Sequence, residues 1–279
     1  MTSSAAVGLT VPHHNPVNFD ADWLRPQWRL PGVHALMTTR RGGYSAAPFD
    51  SMNLQEAPRD GQGDDAAAVA QNQARLRAVV GAPLMLLNQV HGARVVRLTA
   101  SDAAPGAPRH DADACVTTER GVVCSIQVAD CLPVLFAAPG AVAAAHAGWR
   151  GLAAGVLEAT LASLCSASTC EPDQVEVWLG PCIGPRRFEV GADVLGAFGV
   201  VANATHTPGA TWQASRFEPL KTGKWLADLP GLARDRLTAC GVGAVSGGTW
   251  CTVSDASRFF SFRRDGVTGR MVAAIWLGY

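Results

Sequence analysis

Three short apolar runs, Val122–Val128, Pro133–Phe136 and Ala141–Ala145, follow one another with no helix-length segment between them. Runs of this length, bounded by turn residues, read as strands. The grouping recurs upstream at Pro83–Val90, Ala93–Leu98 and Asp113–Thr117, and single strands are expected at Val33–Thr39 and Val175–Leu179. Helical signals are sparser. Asp64–Val80 starts with two acidic residues suited to the positive end of a helix dipole and is stopped by Gly81 and Pro83. Leu152–Leu164, Gly191–Phe198 and Lys224–Cys240 are the other expected helices, the last interrupted by Pro230. Consecutive strands with few helices between them favour a mixed or antiparallel α+β core over a doubly wound parallel sheet. Two hairpins are expected. One joins Asp113–Thr117 to Val122–Val128 around Glu119-Arg120-Gly121, and the other joins Phe259–Arg263 to Met271–Leu277 around Asp265-Gly266.

The chain has 279 residues, with no composition break and no internal repeat, so a single domain is expected over residues 19–279. Met1–Asn18 is polar, carries Pro12 and Pro16, and reads as a ragged tail whose His13-His14 pair is idle in solvent. Val201–Ser215 is the least patterned stretch. The formal net charge is zero and 16% of residues are charged, which leaves no basic face for nucleic acid. No run approaches the roughly 20 apolar residues of a membrane helix. The N-terminus lacks the basic start and apolar core of a signal peptide. A cytoplasmic, monomeric protein is therefore expected, with its eight cysteines reduced and most of them buried as small hydrophobes.

Three chemistry-bearing residues fall at the ends of expected strands. Cys131 follows Val122–Val128, His146 follows Ala141–Ala145, and His91 closes Pro83–Val90. Two imidazoles and a thiolate suit a three-ligand zinc or copper site with a fourth position open. Two other readings use the same residues: a buried cysteine with two core histidines, or a Cys131 nucleophile with His146 as its base. Asp113 and Asp130 are candidates to orient a histidine or move a proton. Gln89 is expected near His91. Trp149 either stacks on a ligand or packs on the sheet.

Six blocks carry a family resemblance: NQVHG (Asn88–Gly92), DADACVTT (Asp111–Thr118), ADCLPVLF (Ala129–Phe136), HAGWRG (His146–Gly151), WLGPCIGPRRFEVG (Trp178–Gly191) and FFSFRRDGVTGR (Phe259–Arg270). In this order they resemble the YfiH family, long called polyphenol oxidase or laccase-domain proteins and now described as purine nucleoside phosphorylases with adenosine deaminase activity. The resemblance spans about Gly32 to Leu277. It implies one domain of packed sheets with helices outside. It also implies that His91, Cys131 and His146 are both metal ligands and catalytic residues, with zinc, or alternatively copper, as the metal. The implied substrates are adenosine, inosine, guanosine and methylthioadenosine, together with phosphate. Phosphorolysis would then need a phosphate cradle, for which Arg40, Arg150 and Arg263 are candidates, with Asp130 and Gln89 as further site residues. The bland alternative for the arginines is pairing with carboxylates such as Asp130 or Asp265. Deamination would use hydroxide at adenine C6, although the usual H-x-E and P-C-x-x-C zinc-deaminase signature is absent. A multicopper oxidase needs several copper sites rich in His-x-His pairs. This chain has seven histidines and no such pair.

Overall fold

A computed structural model describes residues 22–56, 63–104, 106–201 and 213–278. The N-terminal tail, with His13 and His14, and most of Val201–Ser215 lie outside the described residues. In chain order the elements are β1 (Val33–Met37), α1 (Ala66–Val80), β2 (Leu84–Met85), β3 (Val95–Arg97), β4 (Ala114–Thr117), β5 (Val123–Val128), β6 (Leu132–Ala138), β7 (Ala141–Ala147), α2 (Trp149–Ala153), α3 (Val156–Ser168), β8 (Glu176–Leu179), β9 (Glu189–Val190), α4 (Ala192–Ala197), β10 (Phe217–Lys221), β11 (Lys224–Ala227), α5 (Leu229–Ala239), β12 (Ala244–Gly247), α6 (Phe262–Asp265) and β13 (Met271–Leu277).

The strands form a six-stranded sheet, β12-β8-β6-β7-β4-β3, a four-stranded sheet, β1-β13-β5-β2, and a small β10-β11-β9 sheet. The two large sheets are mixed. For example, β6 and β7 pair antiparallel from Leu132↔Ala147 to Ala138↔Ala141, whereas β3 and β4 run parallel. The α+β class with packed mixed sheets is therefore as expected. Side chains alternate across a strand, so Leu135 and Ala137 of β6 meet Ile126, Ala273 and Ile275 of the facing sheet. Val134 and Phe136 point the other way, onto Leu157, Leu161 and Leu232 of α3 and α5. On the far side of the four-stranded sheet, Leu36, Val272 and Ala274 pack with Leu76 and Val80 of α1. The order is helix, sheet, sheet, helix. It leaves the central strands buried on both faces, which is why they read as continuous apolar runs rather than alternating ones.

Five expectations about the elements need correction. β4 and β5 do not form a hairpin: β4 pairs with β3 and β7, and β5 with β2 and β13, so the turn between them carries the chain from one sheet to the other. A turn signal gives the reversal but not the strand's hydrogen-bonding partner. The terminal hairpin is also absent. Phe262–Asp265 is a single helical turn capped by the Ser261 hydroxyl, and β13 lies between β1 and β5. Lys224–Ala227 is a strand, and the helix begins only after Asp228, whose carboxylate accepts the Gly231 N–H; Pro230 sits in its first turn, where no N–H is needed. The helix at Leu152–Leu164 is broken into α2 and α3 at Gly155, whose φ of 89° no ordinary helical residue adopts. Of Pro83–Val90, only Leu84–Met85 pairs as strand β2.

Candidate metal and catalytic site

The site forms where the chain crosses between the two large sheets. Ala129–Cys131 connects β5 in one to β6 in the other, and Asp130 at the crossing has a φ of 90°. The buried Asp130 carboxylate accepts from the Thr252 hydroxyl, from the Ser261 hydroxyl at 3.0 Å and from the Arg263 N–H at 2.6 Å. It thus ties the crossing to the start of α6. Cys131 is half-buried beside it. His146 leaves the end of β7 opposite Pro133 and is 3% exposed.

His91 arrives on a loop and has a φ of 62°, a left-handed backbone that costs a non-glycine residue energy. One carboxylate supports that geometry. Asp113, fully buried, accepts the N–H groups of Val90 (3.2 Å), His91 (2.9 Å) and Gly92 (2.7 Å). Its Oδ1 also accepts His146 Nδ1–H at 2.8 Å. In the neutral ring that bond leaves Nε2 without the proton and free to bind a metal; without a metal the ring takes a second proton. A single carboxylate therefore positions both histidines, His146 through its ring, in the manner common around metal-bound histidines, and His91 through its backbone.

The three donor atoms of His91, Cys131 and His146 lie within 4.8 Å of one another, with Cys131 Sγ 3.9 Å from His91 Nε2. The two imidazole rings meet edge to face at 4.8 Å. A tetrahedral zinc would hold such donors about 3.3–3.6 Å apart, so modest closure completes the triangle. Two imidazoles and a thiolate are a donor set that zinc and copper both accept. His91 is exposed, which leaves an open side for a fourth ligand. Among the described residues this is the only cluster of three such side chains.

Electrostatics favour a charged thiolate. Burial alone would push the Cys131 thiol up, but hydrogen bonds and charge from His146 and His91 outweigh it and bring it down to about 6. Burial would likewise lower His146, yet Asp113 and Cys131 together raise it to about 9. The pair is thus a thiolate next to an imidazolium, with Asp113 behind it.

The trio stands between two cavities. The larger, of about 490 Å³, is lined by all three residues with Gln89, Arg109 and Arg270. The smaller, of about 210 Å³, lies against His91 and Cys131 and is walled by Trp149, Phe188, Arg150 and Arg263. His91, Cys131 and Phe262 border both. Gly148 brings the backbone up to the trio: a Cβ there would sit 3.0 Å from both Cys131 Sγ and His91 Cδ2.

The other expected site residues fall in different places. Arg150 and Arg263 line the smaller cavity. The Arg150 guanidinium lies 4.3 Å over the Trp149 ring, and Arg263 donates to the Glu189 carbonyl at 3.0 Å. Trp149 is half-buried and packs on the core. Gln89 lines the larger cavity, but its amide is occupied at both ends by the Gln127 backbone, each bond 2.8 Å. Arg40 is not brought to the trio. It borders a separate hollow with Asp50 and Ala256, donating to the Asp50 carboxylate at 3.1 Å and the Ala256 carbonyl at 3.0 Å. Asp130 faces hydroxyls and an N–H and acts as a positioning residue. Arg270 and Phe262 were not anticipated individually, although both belong to the block Phe259–Arg270. Phe262 is 58% exposed at the junction of the two cavities.

The family whose sequence profile matches residues 34–278 is described as multi-copper polyphenol oxidoreductase laccase. The chain belongs to this family. It is 48% identical over 259 residues to a purine nucleoside phosphorylase of Pseudomonas aeruginosa, covering 91% of this chain and 98% of that one. The Escherichia coli purine nucleoside phosphorylase YfiH is 45% identical over 257 residues, covering 90% and 97%. Crystal structures agree in fold. YlmD from Geobacillus stearothermophilus superposes with a TM-score of 0.81 at 32% identity, covering 95% of this chain and 99% of that one. A Neisseria meningitidis protein gives 0.79 at 44% identity, covering 92% and 100%. The resemblance read from the six blocks is therefore a true membership. No helix among the described residues is long and apolar enough to cross a membrane.

Proposed function

We propose that this chain is a cytoplasmic, monomeric, metal-dependent purine nucleoside phosphorylase. Its substrates are adenosine, inosine, guanosine and methylthioadenosine, and it also deaminates adenosine. The observation that carries the reading is the His91/Cys131/His146 trio set between two cavities, in a chain nearly half identical to relatives named for this activity. A two-substrate displacement needs room for both partners at one centre, and the two cavities provide it. Zinc on the trio would supply Lewis-acid polarisation and a bound water of lowered pKa. Around it, Asp113 holds the His146 ring and the His91 backbone, Asp130 holds the crossing that carries Cys131, and Arg150 and Arg263 supply positive charge at the smaller cavity. The test is incubation of the purified protein with adenosine, with and without phosphate, followed by mass-spectrometric identification of products beside His91→Ala. Adenine and ribose 1-phosphate that need phosphate and vanish in the variant support the reading. Inosine formed without phosphate supports the deaminase branch. Absence of both, with zinc bound and the fold intact, overturns it.

A second reading has its own observation. Cys131, His146 and Asp113 are ordered as nucleophile, base and orienting carboxylate, with the thiol already lowered to about 6. This is the arrangement of a cysteine hydrolase acting on an amide. A chelator separates the two, because it silences a metal site and spares a free thiolate–imidazolium pair. A phenol oxidase with several coppers is disfavoured, since the described residues offer one three-donor cluster.

A further inference from the structure

We propose that Arg270 is the anion anchor of the larger cavity and holds the inorganic phosphate that attacks the nucleoside. This rests on the phosphorolysis reading above and assigns its second substrate to a side chain. Arg270 lines the same cavity as Cys131, His91 and His146. Its guanidinium makes two hydrogen bonds, both from Nη1 and both to neighbouring carbonyls: Thr268 at 3.1 Å and Gly269 at 3.2 Å. Among the described residues no carboxylate comes within salt-bridge distance of it. Arg150 and Arg263 also pair with no carboxylate among the described residues, but they line the smaller cavity, which His146 does not border. Arg109, in the larger cavity, is paired with Glu56 at 2.7 Å, the one acidic side chain among the described residues lining that cavity. Arg150 is exposed, with its guanidinium over the Trp149 ring.

The backbone aims Arg270 rather than leaving it to chance. Its N–H donates to Asn53 Oδ1 at 2.9 Å, its residue immediately precedes β13, and its guanidinium lies 5.8 Å from the Phe262 ring. A partly buried guanidinium that contacts no carboxylate, and feels the charges of Cys131 and Asp130 only at longer range, carries a desolvation cost that a doubly charged oxyanion relieves. In the step this serves, a phosphate oxygen forms a bond to ribose C1′ while the C1′–N9 bond breaks. The bonding pair leaves with the purine, which takes a proton, and ribose 1-phosphate is the other product.

The experiment uses the zinc-loaded protein and two variants, Arg270→Lys and Arg270→Met. Initial rates of inosine cleavage are measured while phosphate and inosine are varied in turn. Phosphate binding is measured separately by calorimetric titration without nucleoside. Arg270→Met should raise the phosphate KM about 10- to 100-fold and leave the inosine KM within about 2-fold, because one charge-assisted contact to the anion is lost. Arg270→Lys, which keeps the charge, should recover part of the loss. A residue that only holds the fold would move both KM values or neither. An unchanged phosphate KM in Arg270→Met overturns the assignment. Should the wild type cleave no nucleoside, the phosphorolysis reading fails, and the titration then decides the anchor alone. Phosphate bound by the wild type and lost in Arg270→Met upholds it, and no phosphate binding by the wild type overturns it.

Discussion

Replacing Asp113 by asparagine tests how the site is held. The carboxylate is fully buried and accepts four bonds: Oδ1 from His91 N–H and His146 Nδ1–H, Oδ2 from Val90 N–H and Gly92 N–H. In Asp113→Asn one oxygen becomes an NH2 group. Whichever way the amide turns, two of the four donors face a donor. Bonds to a charged acceptor contribute about 1.5–3 kcal/mol each, so the loss is about 3–6 kcal/mol before relaxation. For a chain of this size, at about 2 °C per kcal/mol, the melting temperature should fall by about 6–12 °C. The loss has a second, local consequence. With the His91 turn or the His146 tautomer no longer fully held, zinc affinity should drop by about 10- to 100-fold, as for other lost partners of metal-bound histidines. Thermal melts of the metal-free protein followed by circular dichroism, and zinc titration against a chromophoric chelator, measure the two effects separately. Melting within about 2 °C of the wild type, together with zinc affinity within about 3-fold, would refute the claim that one carboxylate organises this centre.

Other expectations follow from the same geometry. Metal analysis should find about one zinc or copper per chain, and His91→Ala should lose it, since the described residues hold one three-donor cluster. In metal-free protein the rate of Cys131 alkylation by iodoacetamide should rise as pH rises through about 6, not about 9, because the thiolate is the reactive form and the folded environment lowers its pKa; a midpoint near 9 in a Cys131-specific mass assay would contradict the ion-pair reading. Gly148→Ala should fold, because its φ of −63° suits alanine. The added Cβ would still press on Cys131 Sγ and His91 Cδ2 at 3.0 Å, and kcat/KM for inosine should fall about 10-fold or more as the trio shifts.

Much of the fold was legible in the chain because strands buried on both faces must be apolar throughout. β5, β6 and β7 announce themselves for that reason. The trio was legible too, since His91, Cys131 and His146 each end an apolar run inside a recognisable block. What was not legible was pairing. The spacing of Asp113–Thr117 and Val122–Val128 is that of a hairpin, yet the two strands belong to different sheets. The period of a strand says which side chains share a face, not which strand lies alongside. Lys224–Ala227 reads as helix beside a helical stretch, and only its pairing with β9 and β10 makes it a strand.

The same division runs through the site. By itself the sequence determined which residues could hold a metal: imidazole and thiolate chemistry belongs to the side chain and does not depend on context. Tertiary structure alone decided their supports and neighbours. Asp113, one of two carboxylates weighed as orienters, holds both histidines from 22 and 33 residues away in sequence. Asp130, adjacent to Cys131, turns instead to Thr252 and Ser261. Arg40, which reads as a phosphate ligand at a strand end, is paired elsewhere, while Arg270 arrives from the far end of the chain. Whether a charged group is neutralised or left facing a cavity depends on what long-range packing places beside it, and residue spacing carries no record of that.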